Sequence, residues 1–199
     1  MNQETTETND VLNEDKRLRA QNAEAMKAVL WPYTITGAAV AILCPEALVQ
    51  SILSTTLLVA AETLGYLFPV FVNLPRTTTF PATTTLFLLV MSAGLVPAAC
   101  MLAKRWRFHC RMTSLRKSDQ QVVLCSGLFI ALLSIVLISQ FPSVSVDEIR
   151  NQGGRGGWLV SFLTQSRIGL ALIGSTFFAI AATASGVTAA LWVLIRRNK

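Results

Sequence analysis

Charged residues are scarce in this sequence and unevenly placed. Asp, Glu, Lys and Arg make up 14% of its 199 residues, whereas soluble globular domains carry about 25%. Ten of the 28 charged residues fall within the first 27 positions. Together with 52% apolar residues and a mean hydropathy of +0.51, this excludes an ordinary soluble domain. It predicts an all-α, multispanning transmembrane bundle of four to five helices.

Histidine and paired cysteines are nearly missing. The single histidine, His109, lies next to Cys110, but no further ligand stands at helical spacing from this pair, and zinc sites use three or four protein ligands. The four cysteines form no CxxC pair. We interpret them as small buried side chains rather than as a metal site or disulfide. We therefore predict no enzyme activity, no metal and no cofactor.

Long apolar runs follow a polar, mixed-charge segment, residues 1–27. The opening TTETND is expected to be disordered, and a helix is plausible from Asn13, a candidate N-cap. Residues 28–199 form one transmembrane domain with predicted helices at about 28–44, 46–70, 85–103, 121–140 and 168–195. Pro45-Glu46 predicts the first break, since proline and an acid both suit the start of a helix. The Thr-rich segment with Pro75 and Pro81 predicts a connector.

Positive charge predicts the orientation of the second half of the chain. The loop 104–120 holds six Lys or Arg, and the tail ends in RRNK, so both are expected in the cytoplasm. Loop 141–157 is then external. Residues 28–72 leave two alternatives open: two full crossings with an external N-terminus, or an incomplete crossing with a cytoplasmic one. We favour four full spans, a cytoplasmic N-terminus and an incomplete or interfacial first helix.

Glu62 lies in the middle of a predicted span, in LLVAAETLGYLF. An ionised carboxylate is costly there and often marks a pathway or a buried partner. One hypothesis is proton or cation coupling. The other is a protonated carboxyl that bonds a neighbouring helix and fixes packing.

The final span carries small residues at intervals that permit close helix contact. This packing face comprises Ser175, Ala179, Ala182, Gly186 and Ala190. Gly94 and Ala98 in the third run could supply the matching groove. The pattern does not say whether the partner helix belongs to this chain or to another.

Two segments have the composition of membrane-interface anchors. One is the basic segment with Arg105, Trp106 and Arg107, which suits the headgroup region. The other is RNQGGRGGWLVSFL. It lacks the Lys-Ser/Thr of a phosphate-binding loop, so we interpret it as an external turn that sets Trp158 and a short amphipathic helix on the membrane. The glycines of this turn are Gly153, Gly154, Gly156 and Gly157.

The same segment and its flanks resemble the N-terminal membrane domain of FtsK/SpoIIIE-type DNA translocases. The residues that carry the resemblance are Ser139, Phe141, Pro142, Asn151, Gly153, Gly154, Gly157, Trp158 and Leu159. The resemblance covers about residues 104–195 and includes no Walker motif. It implies a membrane-anchoring, oligomerising part without the DNA motor.

These observations predict a small bacterial inner-membrane protein with a cytoplasmic C-terminus. Its expected role is a non-enzymatic assembly, anchor or scaffold subunit of a machine for DNA transfer, division or secretion. Expected partners are the lipid bilayer and other membrane subunits or further copies of the chain, without direct nucleic-acid binding. The alternative is a small transporter or channel subunit that uses Glu62.

Overall fold

The computed structural model of the protein describes residues 2–53, 55–108, 117–139 and 155–197. Its helices are α1 (Asn2–Leu43), α2 (Glu46–Ile52), α3 (Thr55–Leu67), α4 (Val70–Thr77), α5 (Pro81–Arg105), α6 (Lys117–Ser139), α7 (Arg155–Gln165), α8 (Arg167–Gly169) and α9 (Ser175–Arg197). A π-helical turn, Leu170–Gly174, joins α8 to α9, and we call these three pieces the last helix. No strand occurs in the described ranges, which confirms the all-α prediction.

Three described helices are long and apolar enough to cross a membrane: Asn13–Leu43 within α1, all of α5, and Arg167–Arg196 of the last helix. The 25 residues of α5 extend roughly 37 Å at about 1.5 Å per residue, against a hydrocarbon core of about 30 Å. A fourth candidate is the pair α3 and α4, bent by 113° at a short break. α6 has 23 residues, of which Gln121–Val136 form a shorter apolar stretch.

Contacts between helices fix their directions. The side chain of Asn22 in α1 bonds the backbone of Arg107, just after α5 ends. The hydroxyl of Thr83, at the start of α5, bonds the carbonyl of Cys44, just after α1 ends. α1 and α5 are therefore antiparallel. The last helix runs parallel to α5, since Gly186, late in that helix, lies against the C-terminal part of α5.

α6 runs antiparallel to the last helix. Gly127 of α6 packs against Thr188, and Leu124, one turn earlier, shares a groove with Trp192. The ends of α5 and α9 and the start of α6 thus lie together, and we call this the basic end. The opposite end holds Cys44 and is called the Glu46 end.

The interior of the bundle is apolar and closely packed. Its largest fully buried apolar side chains are Val49, Phe87, Leu88, Met91, Leu102 and Leu170. Lipid tails are as apolar as leucine, so membrane helices are held by van der Waals packing and interhelical hydrogen bonds. One such bond joins α1 to α5, with the Tyr33 hydroxyl donating to the Met91 carbonyl at 2.6 Å.

The first apolar run differs from the two helices predicted for it. α1 is one helix from Asn2 to Leu43, so it already includes TTETND and the residues before Asn13, and it continues through Pro32. Proline removes one helical hydrogen bond, but Val29 and Ala41, on either side of it, are both buried against the bundle. Packing therefore outweighs the local cost. The break at Pro45 is confirmed, because α2 begins at Glu46.

The run predicted as one helix over 46–70 is divided into α2, α3 and part of α4. Both ends of the α2–α4 segment lie at the Glu46 end, so the segment returns to the side from which it started. Phe68, in the sharp turn of this segment, lines an apolar pocket together with Leu95, near the middle of α5. The first apolar stretch thus contains a helix long and apolar enough to span a membrane, where an incomplete helix was expected, and the bent pair lies in the second stretch.

The Thr-rich segment is helical over most of its length instead of forming a connector. Pro75 lies inside α4, and Pro81 is in the first turn of α5. The helix predicted over 85–103 therefore spans Pro81–Arg105. Proline fits the first turn because that position has no intrahelical N–H bond to lose.

The close approach of the last helix to α5 gives a stability prediction. A Cβ at Gly186 would lie 2.9 Å from the Ala99 carbonyl oxygen and 3.0 Å from the Leu102 Cβ. Gly186→Leu must therefore push the two helices apart, which should lower the free energy of unfolding by about 1–3 kcal/mol. We expect a lower midpoint of thermal unfolding in detergent. Thr176→Leu, at an exposed position of α9, is the matched control. Equal midpoints for the two variants would contradict this packing.

Candidate functional site

A polar cluster at the Glu46 end joins four segments of the chain. The carboxylate of Glu46 accepts hydrogen bonds from the backbone N–H groups of Ala82 at 2.6 Å and Thr83 at 3.0 Å, and from the Thr83 hydroxyl at 2.8 Å. The N-cap residue of α5, Phe80, makes no side-chain capping bond. Glu46 from α2 therefore does the capping of α5, and its negative charge lies at the positive end of the helix dipole.

Arg167 completes this cluster from the last helix. One guanidinium nitrogen donates to the Cys44 carbonyl oxygen at 2.8 Å, and the guanidinium lies 5.7 Å from the centre of the Phe80 ring. The cation thus satisfies a carbonyl at the end of α1, where the helix dipole is negative. The arrangement fixes α1, α2, α5 and the last helix to one another.

The environment of Glu46 shifts its acidity. Burial alone raises the pKa of the carboxyl group, but the two N–H groups and the Thr83 hydroxyl favour the charged form, as does the nearby Arg167. The net effect is a pKa below the ordinary value. Glu46 is therefore ionised at neutral pH.

The sequence signals of this cluster are local and incomplete. Glu46 after Pro45 indicates the start of its own helix, and the capping of a helix 36 residues away has no sequence motif. The absence of Ser, Thr, Asp or Asn at Phe80, directly before Pro81, is the one available hint that the cap comes from elsewhere. Arg167 stands in a polar stretch that carries no pairing signal.

Glu62 lies on an exposed face of α3, outside the core of the bundle. It lines an open cavity of about 500 Å³ between α3 and α4, together with Gly65, Tyr66, Asn73 and Arg76. Among the described residues it has no hydrogen-bond or ion-pair partner. The hypothesis of a carboxyl bonded to a neighbouring helix is therefore not supported.

The small-residue packing face predicted for the final span packs mainly against other helices of the same chain. Ala182 and Ala190 are buried, and Gly186 lies against α5. Ser175 is 3% exposed and faces Gly37 of α1, whereas Ala179 is only half-buried. Ala98 joins this contact, in a cluster with Ala182.

Gly94, the other residue of the expected matching groove, faces α1 rather than the last helix. Gly94 packs against Tyr33 of α1, so the predicted Gly94–Ala98 groove is divided between two neighbours. Ser175 Oγ is buried without a hydrogen-bond partner among the described residues.

The anchor residues of the basic segment lie where α5 ends. Arg105 is the last residue of α5, Trp106 is half-buried and Arg107 is exposed. The buried Asn22 side chain accepts from the Arg107 N–H at 2.9 Å and donates to the Arg107 carbonyl at 2.7 Å. This pair of bonds joins α1 to the segment that follows α5.

The glycine-rich segment is only partly described. Gly153 and Gly154 lie outside the described residues, as do the 109–116 part of the basic loop and the 141–154 part of the predicted external loop. Gly156 and Gly157 lie in the first turn of α7, so they belong to a helix and not to a turn. The short helix predicted after them is confirmed, and Trp158 is 67% exposed on it.

The described residues contain no group of three or more His, Cys, Asp or Glu that could hold a metal ion. Cys44, Cys100 and Cys125 are free thiols. Cys100 and Cys125 are exposed, which corrects the interpretation of these two as buried side chains. His109 and Cys110 lie outside the described residues.

Comparisons of the chain with protein-family models, curated proteins and solved structures gave no match. The resemblance to the FtsK/SpoIIIE membrane domain thus stays a prediction. Of the residues that carry it, Gly157, Trp158 and Leu159 lie in α7.

The capping role of Glu46 predicts an acid-dependent stability. Because the folded pKa is below the ordinary value of 4.5, the contribution is fully present above that pH and is lost as pH falls through the folded pKa. We expect Glu46→Gln to lower stability at neutral pH by about 1.5–3 kcal/mol, as for a hydrogen bond to a charged group. Thermal unfolding in detergent, measured from about pH 7 down to about pH 3 so that the scan passes through the ordinary and the lowered pKa, measures both effects.

The control for this experiment is Glu62→Gln, since Glu62 is exposed on α3. That variant should keep the acid dependence of the unmodified protein. An acid limb of equal size in Glu46→Gln would contradict the assignment to Glu46.

Proposed function

We propose that the protein is a non-enzymatic membrane subunit that assembles with other membrane proteins through α6 and the neighbouring face of α9. The observation that carries this is an apolar groove of about 380 Å³ between the two helices. Its lining residues are Leu124, Leu128, Ala131, Leu132, Ile135, Ser185, Thr188, Ala189 and Trp192.

Small residues along this groove suit a third helix. Ala131, Ser185 and Ala189 leave room for a backbone to approach closely, which is how membrane helices associate. Trp192 at one end is 56% exposed and supplies a large apolar contact. The expected assembly face is therefore not that of Gly186, which already packs on α5.

The position of α6 supports the same proposal. Much of its surface is exposed and apolar, including Phe129 at 66%, Ile130 at 53% and Leu132 at 52%. α6 packs chiefly on α9, and only slightly on α4. A helix held mainly from one side can accept a second neighbour without rearrangement of the core.

The orientation, the membrane and the machine are proposed from the distribution of basic residues and from the resemblance to the FtsK/SpoIIIE membrane domain. Lys104, Arg105 and Arg107 with the C-terminal arginines favour a cytoplasmic basic end, and the N-terminus then lies on the same side. The membrane is proposed to be a bacterial inner membrane. The machine is proposed to serve DNA transfer, division or secretion, with the chain as its anchor.

Cysteine crosslinking in native membranes tests the assembly face. In a background without native cysteines, Ala189→Cys should crosslink to a second chain, either a copy or a partner. Val96→Cys, on an exposed site of α5, should remain uncrosslinked. An entirely monomeric Ala189→Cys, or equal crosslinking at both positions, would refute the proposed face.

One observation favours the alternative of a transporter or channel subunit. A sharply bent helix pair that enters a membrane from one side is tolerated where it is buried in protein or lines a water-filled cavity, and Glu62 faces the open cavity between α3 and α4. If this role holds, Glu62→Gln abolishes solute or ion flux in reconstituted vesicles while expression and size are unchanged. An unaltered flux eliminates the alternative.

A further inference from the structure

A second cavity lies at the basic end, between α1, the end of α5 and the end of α9. Its volume is about 500 Å³, and its lining includes Glu14, Leu18, Lys104, Trp106, Arg107 and Val193. It is separate from the groove between α6 and α9 and shares no lining residue with it.

The cavity has a charged rim and apolar walls. Lys104 and Arg107 are exposed at the rim, and neither side chain has a hydrogen-bond or ion-pair partner among the described residues. Leu18, Trp106 and Val193 line the cavity with apolar surface. A ligand that fits both parts has an anionic group and a hydrocarbon part.

The rim is held in place by the fold. The two hydrogen bonds from Asn22 fix the backbone of Arg107, and Asn22 itself is only 7% exposed. Lys104 belongs to the last turn of α5. Both cations therefore start from ordered backbone positions, which lowers the entropic cost of binding.

The depth and surroundings of the cavity identify the ligand class. The cavity lies where two candidate spans, Pro81–Arg105 and Arg167–Arg196, end, and so at the level of lipid headgroups. Further exposed cations on the same end of the bundle are Lys16, Arg17, Arg105 and Arg196. Basic pockets between helices at this level bind anionic headgroups.

We propose that this cavity binds one anionic phospholipid. Its phosphodiester lies between Lys104 and Arg107, and an acyl chain follows Leu18 and Val193. Trp106 packs at the junction of headgroup and chain. Glu14, the acid in the lining, repels the phosphate and so limits the affinity.

Lipid binding to the delipidated full chain in detergent, followed by native mass spectrometry, tests this site. The probes are phosphatidylglycerol and phosphatidylcholine with identical acyl chains. We expect tighter binding of phosphatidylglycerol. Lys104→Gln with Arg107→Gln should weaken it about 25-fold, since each basic side chain at an anionic surface contributes about a factor of five. Glu14→Gln should strengthen it.

The matched control removes two charges outside the cavity, Arg105→Gln with Arg196→Gln, and should change the dissociation constant less than about twofold. Lys104→Gln alone, at an exposed position, repeats the test with about a fivefold loss if the double variant folds poorly. Equal weakening by the control pair overturns the proposal. Equal affinity for the two lipids, or displacement of bound lipid by inorganic phosphate, also overturns it.

Discussion

The hydrogen bonds from the first N–H groups of α5 to Glu46 are the contact on which the rest of the bundle depends. A helix start leaves N–H groups without intrahelical partners, and near hydrocarbon each unsatisfied group is costly. The N-cap residue Phe80 has no side-chain acceptor to offer. A carboxylate supplied by α2 removes this cost only if the end of α1 and the start of α5 lie side by side, so the capping bond fixes their register. At the basic end, two hydrogen bonds between the Asn22 side chain and the Arg107 backbone likewise hold α1 beside the end of α5.

Between these two ends, close packing replaces the hydrophobic effect. Gly37 brings α1 against Met91 and Ser175, and Gly186 brings the last helix against α5. These approaches use most of the small-residue face of the last helix within the chain. The adjacent face of α9, with Ser185 and Ala189, remains available to a partner. The proposed assembly site therefore uses this face and not the face of Gly186, which already contacts α5.

The fold class could be predicted from the sequence, but the contacts between distant segments of the chain could not. Few charges and long apolar runs were enough to predict an all-α bundle, and Pro45 with Glu46 was enough to place the first break. Pro32 gives a similar local signal without a break, because burial of the residues around it is a property of the tertiary structure. The same limit applies to the candidate site. The partner of Glu46 is 36 residues away and that of Arg167 is 123 residues away, so no spacing rule connects them.

The two ends of the bundle differ in how their charged groups are satisfied. At the Glu46 end the charged groups are satisfied by neighbouring backbone N–H and carbonyl groups. At the basic end Lys104 and Arg107 have no ion-pair partner among the described residues, and they lie on an ordered backbone beside a cavity of about 500 Å³. Because α6 starts at this same end and packs chiefly on one helix, an occupant of the cavity and a partner on α6 would both contact residues of α9.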